Sequence, residues 1–125
     1  MTNAEADLHR RTGAYGEELV CAHLVRRGWA ILARNWRCWA GEADILALTP
    51  DGCTFVVCEV KTRTGYAFGD PLEAITGTKV AHLRAVAAAY LAEHPLGVAA
   101  VRFDAVAVHL SFDRPPRLRY VEGAA

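Results

Sequence analysis

Two charged residues interrupt an otherwise apolar run at residues 54–62, whose sequence is TFVVCEVKT. The run has the length and the β-branched and aromatic content of a buried strand. Because the side chains of a strand alternate between its two faces, Glu59 and Lys61 point the same way, together with Phe55 and Val57. The sequence therefore places a carboxylate and an ammonium group on one largely apolar surface.

A second carboxylate is predicted beside Glu59. Residues 43–49 predict another strand and residues 50–53 a four-residue turn, so that the two strands form a hairpin. If the turn is closed by the residues that flank it, Asp44 lies directly across from Glu59. Cross-strand Cβ atoms are about 5 Å apart, so two carboxylates there repel each other unless a cation lies between them. Lys61 is one candidate for that cation, and a divalent metal ion is the other.

The types of these residues suggest a reaction. Carboxylate oxygens without imidazole or thiolate partners suit Mg²⁺ or Mn²⁺ better than zinc. A metal ion held by Asp44 and Glu59 would polarise a phosphodiester oxygen and lower the pKa of a bound water, while Lys61 could orient that water or stabilise charge in the transition state. This chemistry is the hydrolysis of a phosphodiester. The structural alternative is a salt-bridge cluster on the protein surface, which would contribute little to stability.

The helix that precedes the hairpin brings another carboxylate. It is predicted to run from Thr12, as N-cap, to about Arg27. On a helical wheel Glu17 and Glu18 both fall in the apolar arc, where an unpaired carboxylate is costly, and Gly16 falls on the solvent-facing arc. We therefore expect a glutamate of this helix to point toward the sheet. For Glu17 the alternative is a favourable interaction with the helix macrodipole.

An aromatic and basic segment, RNWRCW at residues 34–39, is predicted as a loop that follows a short strand at residues 29–33. Such residues suit phosphate binding and base stacking, although tryptophans are as often partly buried in the core. Two residues at the end of the predicted third strand could also contact phosphate, or simply make the turn polar. The candidate nucleic-acid contacts are Arg34, Trp36, Arg37, Thr62 and Arg63.

The rest of the chain completes an α/β pattern. Tyr66 and Phe68 could form a mobile flap in a glycine-bearing loop, and Asp70 is expected to begin a short helix that Gly77 interrupts. Three further elements are predicted, which are a helix at 78–93, a strand at 98–110 and a weak strand at 118–121. The predicted order is α-β-β-β-α-β-β.

Composition indicates a single domain over residues 1–125, with irregular termini at 1–10 and 112–125. The formal net charge is zero, which excludes a polycation that binds nucleic acid by net charge alone. The four cysteines lack C-x-x-C spacing, so we expect neither a zinc site nor a redox motif. No run of apolar residues is long enough to span a membrane, and a cytoplasmic location is predicted.

Several spaced strings, in this order, resemble the YraN family of small bacterial proteins within the PD-(D/E)xK nuclease superfamily. They are GEELV (16–20), ARNWR (33–37), GEADILAL (41–48), EVKTR (59–63), PLEAI (71–75) and RFDAVAV (102–108). The resemblance implies a restriction-endonuclease-like fold with an αβββαβ core and a mixed central sheet, similar to archaeal Holliday-junction resolvases. The resemblance also favours Glu17 over Glu18 as the glutamate that faces the site. One departure is Ala43, where the superfamily carries a proline.

The resemblance implies a metal-dependent DNA endonuclease, acting on branched or flapped DNA in repair or recombination. Its catalytic residues would be Glu17, Asp44, Glu59 and Lys61, with the three carboxylates as ligands of Mg²⁺ or Mn²⁺. A homodimer is a further expectation, because resolvase-like folds often dimerise to cut two strands. The alternative is a non-catalytic module that keeps the nuclease-like fold and binds nucleic acid or a protein partner.

Overall fold

The computed structural model describes residues 2–65 and 76–125. Within these ranges the chain forms two helices and five strands in the predicted order. The elements are α1 (Asn3–Arg26), β1 (Ala30–Cys38), β2 (Gly41–Leu48), β3 (Thr54–Thr64), α2 (Gly77–Glu93), β4 (Ala100–Ser111) and β5 (Arg114–Val121). The α/β class and the αβββαβ core that the resemblance implies are confirmed.

The five strands form one mixed sheet in the order β1-β2-β3-β4-β5. All neighbouring strands are antiparallel except β3 and β4, which run parallel. A parallel pair needs a crossover connection, and here the connecting chain includes α2. As a result β3, which carries the charged pair, is the central strand of the sheet.

Each face of the sheet is covered by one helix. Val56 and Cys58 point toward α1, whereas Phe55 and Val57 point toward α2. This alternation along β3 is the one that the sequence predicts, and it explains why β3 is apolar on both faces. The α1 side is filled by Val20, Cys21, Leu24, Ile45, Ala47, Val106 and Val108, and the α2 side by Leu46, Leu83, Val86, Ala87, Tyr90 and Phe103.

The β2–β3 hairpin has the predicted register. Leu48 pairs with Phe55 and Ile45 pairs with Cys58. The turn is closed by the Thr49 amide, which donates to the carbonyl oxygen of Thr54 at 3.1 Å. The next residues beyond the last pair are Asp44 and Glu59, so this register places the two predicted carboxylates beside each other on neighbouring strands.

Helix α1 begins earlier than predicted. Its N-cap is Thr2, and a capping box joins Thr2 to Glu5 through hydrogen bonds of 3.0 and 3.1 Å. Thr12 instead lies inside the helix, where its hydroxyl donates to the Leu8 carbonyl at 2.8 Å. The assignments of Thr12 as N-cap and of residues 1–10 as irregular were therefore wrong, because the T-x-x-E signal at the start of the chain was missed.

The wheel placed Gly16 wrongly as well. This residue is buried against β3, where an added Cβ would lie 1.9 Å from Oγ1 of Thr62. By contrast Tyr15 and Val25, two large apolar residues of the same helix, are exposed. A helical wheel based on hydrophobicity cannot identify a glycine whose lack of a side chain allows the helix to approach a strand closely. Gly16 is the point where α1 comes close to the central strand.

The segment at residues 34–39 is mostly strand rather than loop, since β1 continues to Cys38. Its irregularity is confined to Asn35, whose φ of 48° lies in the left-handed region that asparagine tolerates better than most residues. The C-terminal strand is also longer than predicted. Asp104, fully buried on β4, accepts hydrogen bonds from the Tyr120 hydroxyl (2.6 Å) and the Gly123 amide (2.9 Å), which tie this segment to the sheet.

The four cysteines are free thiols. Helix α2 begins at Gly77, with Thr76 as its N-cap, close to the predicted start. The flap residues Tyr66 and Phe68 and the short helix predicted at Asp70 lie outside the described residues. Across residues 2–65 and 76–125, neither helix has the length and apolar character needed to cross a membrane.

Candidate active site

Glu59 is a buried carboxylate in the central strand, with only 2% of its surface exposed. One oxygen, Oε2, lies 3.1 Å from the ammonium nitrogen of Lys79 in α2. The other, Oε1, is buried and has no hydrogen-bond donor among the residues that the structure describes. A buried carboxylate oxygen left in this way is costly and calls for a proton or a cation.

Asp44 stands where the hydrogen-bonded ladder between β2 and β3 ends. The last regular pair is Ile45 with Cys58. Beyond it, Oδ2 of Asp44 accepts a hydrogen bond of 2.8 Å from the Val60 amide, so the side chain replaces a backbone carbonyl as the partner of β3. This bond fixes the half-buried Asp44 carboxylate beside Glu59.

The surroundings of Glu59 strongly raise its pKa. The pKa of Glu59 rises from 4.5 to about 8, mainly because the carboxyl is buried and next because the negative charge of Asp44 lies beside it. The Lys79 ammonium opposes the rise without cancelling it. The Asp44 and Glu59 carboxyls lie within electrostatic reach of each other, so their negative charges repel unless one is neutralised. This pair therefore needs either a shared proton or an added cation.

Glu17 approaches the pair from α1, whereas the neighbouring Glu18 is exposed. Burial, followed by the charge of Asp44, raises the pKa of Glu17. The opposing influences are a hydrogen bond from Asn35 and the charge of Arg34. With the Asn35 amide oriented so that its nitrogen faces the carboxylates, it donates to the two oxygens of Glu17 at 3.0 and 3.2 Å. Of the adjacent residues Glu17 and Glu18, it is thus Glu17 that lies within electrostatic reach of Asp44.

A cleft of about 580 Å³ lies between one face of α1 and the ends of β2 and β3. Glu17, Asp44 and Lys61 all line it, and Glu59 lies behind them on the α2 side. Three of the four predicted catalytic residues therefore share one opening. The other residues that line the cleft are Glu5, Leu8, His9, Thr12, Gly13, Val60, Thr62 and Thr64.

Asp44 and Glu59 could bind a divalent cation as two ligands, without a complete set of protein ligands. Within the described ranges, no three His, Cys, Asp or Glu side chains are already gathered as a set of metal ligands. Oε1 of Glu59, which lacks a donor, and the adjacent carboxyl of Asp44 nevertheless supply the hard oxygen atoms that Mg²⁺ and Mn²⁺ prefer. Mg²⁺ usually keeps several waters and takes one or two carboxylates, so a pair suffices.

The predicted nucleic-acid contacts do not form one group: Thr62 lines this cleft, and Arg34 lies within electrostatic reach of Glu17. Arg34 and Arg37 are exposed on β1, and Arg37 pairs with Glu42 at 2.9 Å. Trp36 instead packs edge-to-face on Tyr90 of α2, with ring centroids 5.2 Å apart, so its ring belongs to the core. The tryptophan that stays in solvent is Trp39, which is 87% exposed.

Thr62 and Arg63, at the end of β3, are more buried than residues of a surface turn. The hydroxyl oxygen of Thr62 is buried beside Gly16. Arg63 is half-buried on the same strand and makes interactions of its own. Both side chains thus contribute to packing, and Thr62 also lines the cleft.

Sequence reasoning missed Lys79. A signal was available, because Lys79 lies in helical register with the buried residues Leu83, Val86 and Tyr90 of α2. A lysine on the buried face of a helix requires a partner. Asn35 was missed for a different reason, since its contact with Glu17 depends on a left-handed backbone conformation inside β1.

Fold and cleft together define a small α/β protein with a carboxylate pair at the centre of a mixed sheet. Residues 16–108 match the family described as Uncharacterised protein family UPF0102, the YraN family, and the chain belongs to it. It is 48% identical to a UPF0102 protein of Acidothermus cellulolyticus over 95% of this chain and 96% of the relative. A UPF0102 protein of Mycolicibacterium vanbaalenii is 43% identical over the full length of both chains.

Among solved structures, the chain is similar to Hjc of Archaeoglobus fulgidus, a Holliday junction resolvase from an archaeal hyperthermophile. The sequences are 19% identical, and the TM-score is 0.44. The alignment covers 82% of this chain and 70% of the resolvase.

Proposed function

We propose that the protein is a metal-dependent DNA endonuclease, acting on branched or flapped DNA. The observation that carries the proposal is the buried Glu59 carboxylate, which has one oxygen without a donor and a second carboxylate beside it. Perturbed carboxylates of this kind, next to a cleft, are typical of catalytic sites. Most buried polar oxygens in proteins have a partner, and an open one beside a second carboxylate calls for a proton or an ion.

In this proposal each residue has a distinct part. Asp44 and Glu59 hold Mg²⁺ or Mn²⁺, and the ion, when bound, polarises the scissile phosphate and acidifies a water. Lys61, which lines the same cleft, orients the attacking water or stabilises negative charge on the phosphate. Glu17, held by Asn35, serves as a further ligand or positions a water. The Val60 amide keeps Asp44 in place.

DNA would be bound around the cleft by local groups, because the net charge of the chain is zero. Arg34 and Arg37 on β1 are exposed and suited to phosphate contacts, and Arg63 lies at the end of β3. Cutting both strands of a branched substrate would require a homodimer. The proposed location of the protein is the cytoplasm. Sedimentation at micromolar concentration tests the dimer, and a monomer at every concentration would remove it from the proposal.

The decisive experiment is cleavage of end-labelled single-stranded, duplex, flap and four-way-junction DNA with Mg²⁺ or Mn²⁺. We expect cleavage of at least one branched substrate and its loss in the Lys61→Ala and Asp44→Asn variants. Glu17→Gln should reduce cleavage, while Glu18→Gln, which changes the exposed neighbour, is the matched control and should not. Cleavage that survives Lys61→Ala would indicate a contaminating nuclease. DNA that is shifted in gels but never cut would support the non-catalytic module instead.

A further inference from the structure

The ion pair between Lys79 and Glu59 links α2 to the candidate metal site. The side chain of Glu59 is 3% exposed and that of Lys79 is 44% exposed. The carboxylate is therefore fixed inside the sheet, while the ammonium reaches it along a stem that is partly in solvent. Such a cation can leave the carboxylate without unfolding its surroundings.

The position of Lys79 in α2 is unfavourable for the helix itself. Thr76 caps the helix by accepting a hydrogen bond of 3.2 Å from the Lys79 amide, which puts Lys79 in the first turn. A positive charge there opposes the helix macrodipole, and this first turn contains no acidic residue to offset it. The placement is explained by its tertiary partner, Glu59, and not by helix stability.

The choice of lysine is also unusual for this chain. Of its fourteen basic residues, twelve are arginine and two are lysine, namely Lys61 and Lys79. Both lysines thus lie at the candidate site, one lining the cleft and one on Glu59. A guanidinium would fork onto both oxygens of a carboxylate, whereas an ammonium is a point charge that holds one. Oε1 of Glu59 is the oxygen that Lys79 leaves open.

We propose that Lys79 is a positioning residue that acts as the resident cation of the metal site. It lies against Oε2 of Glu59 while the site lacks metal, and a divalent ion competes with its ammonium for that carboxylate. Lys79 thereby sets the affinity for the metal, and it withdraws toward solvent when the ion binds. This inference rests on the proposed metal-dependent function, and it adds a residue from α2 to a site otherwise built from α1, β2 and β3.

The test is calorimetric titration of the full chain with Mn²⁺, without DNA. Lys79→Met and Lys79→Gln remove the competing charge and should tighten Mn²⁺ binding by about three- to tenfold, the effect expected of one charge in a partly exposed site. Lys79→Arg should weaken binding, because its fork also occupies Oε1. Arg84→Met, which changes an exposed cation of the same helix, is the matched control and should leave binding unchanged.

The outcomes separate this inference from the function on which it rests. If the wild type binds Mn²⁺, Asp44→Asn abolishes binding, and Lys79→Met and Lys79→Gln bind no more tightly, then the metal site stands and the role of Lys79 is refuted. If neither the wild type nor either of these Lys79 variants binds Mn²⁺, the proposed function and the inference both fail. Binding by Lys79→Met or Lys79→Gln alone would show that Lys79 occupies the site. Lys79→Gln keeps a hydrogen-bond donor, and it decides the question if the methionine variant does not fold.

Discussion

Glu59 binds a proton more readily than an ordinary glutamate because burial and Asp44 both disfavour its charge. Its pKa in the folded protein, about 8, lies above the ordinary value of 4.5, so between these pH values the folded state binds more protons than the unfolded state. By linkage, the free energy of unfolding of the metal-free protein should fall as pH rises through this window, by at most about 1.4 kcal/mol per pH unit.

Urea unfolding from pH 5 to pH 8 measures this slope. Glu59→Gln should flatten it and make the protein more stable than the wild type at pH 8, since the amide carries no charge at either pH. Glu18→Gln, at an exposed position, should keep the wild-type slope. Identical slopes in the wild type and Glu59→Gln would mean that Glu59 is not the group that titrates.

The contact between Gly16 and Thr62 gives a second prediction at the scale of single residues. Gly16→Ala would place a Cβ 1.9 Å from the Thr62 hydroxyl oxygen and 3.1 Å from its Cβ, so α1 must shift away from β3. We expect a loss of about 2 to 4 kcal/mol in the free energy of unfolding, comparable with overpacking elsewhere.

Two further variants test this explanation by thermal or urea unfolding. Gly13→Ala, in the same helix with no atom near its added Cβ, should be neutral or stabilising by about 0.5 to 1 kcal/mol. Thr62→Ala should rescue part of the Gly16→Ala defect, because it removes the clashing oxygen. Equal losses in Gly13→Ala and Gly16→Ala would argue against the clash, since the added Cβ at Gly13 meets no neighbouring atom of the described residues.

At the scale of elements, the β2–β3 hairpin was predictable and its surroundings less so. Alternating apolar residues and a turn signal fix which face each side chain takes, and hence that Asp44 lies beside Glu59. The extent of β1 was not predictable, because Asn35 interrupts its alternation with a left-handed residue. Periodicity describes regular elements and has no means of anticipating such an interruption.

Contacts between elements were the other part that local sequence reasoning could not supply. The approach of α1 at Gly16 and the ion pair from Lys79 to Glu59 each join residues far apart in sequence. The amphipathic pattern of α2 showed which face is buried, but it could not say which strand residue that face meets. The position of Asp44 beside Glu59 was therefore predictable within one hairpin, and Glu17 from the helical wheel and the resemblance, but the strand residues that each helix contacts were not.

The first three turns of α1 form a wall of the cleft without entering the core. Glu5, Leu8 and His9 line the cleft, and the first buried residue of the helix is Gly16. Removing residues 2–11 leaves Thr12 at the new start, where it can serve as an N-cap. We expect a change of less than about 1 kcal/mol in the free energy of unfolding, with weaker DNA binding and unchanged Mn²⁺ affinity.

Chemical denaturation and calorimetry of the truncated chain test this separation, with DNA binding measured by fluorescence anisotropy. A large loss of stability would show that the early turns pack in a way that their exposure does not suggest. Unchanged DNA affinity would place the substrate away from this wall.

At the scale of the whole molecule, the proposed function together with zero net charge and an acidic cleft predicts that DNA binding requires the metal. We expect DNA affinity to be weak in EDTA and to rise at least about tenfold with Ca²⁺, which neutralises the carboxylates. The double variant Asp44→Asn with Glu59→Gln should bind DNA without metal, and Ca²⁺ should no longer matter.

Anisotropy titrations at fixed ionic strength measure both effects. Glu18→Gln, which removes one charge from the exposed face of α1, controls for a general effect of net charge. A response to Ca²⁺ that persists in the double variant would locate the ion elsewhere on the protein.

The parallel pairing of β3 with β4 has a consequence for the order of folding. Thr54 pairs with Ala100, so the two strands join across 100 − 54 = 46 positions, whereas β2 and β3 meet across a short turn. Local hairpins close early and long loops late. Asp44 and Glu59 should therefore meet in a nascent hairpin before α2 docks and delivers Lys79. A divalent ion present at that stage would meet no resident cation, and Mn²⁺ should accelerate refolding in stopped-flow experiments.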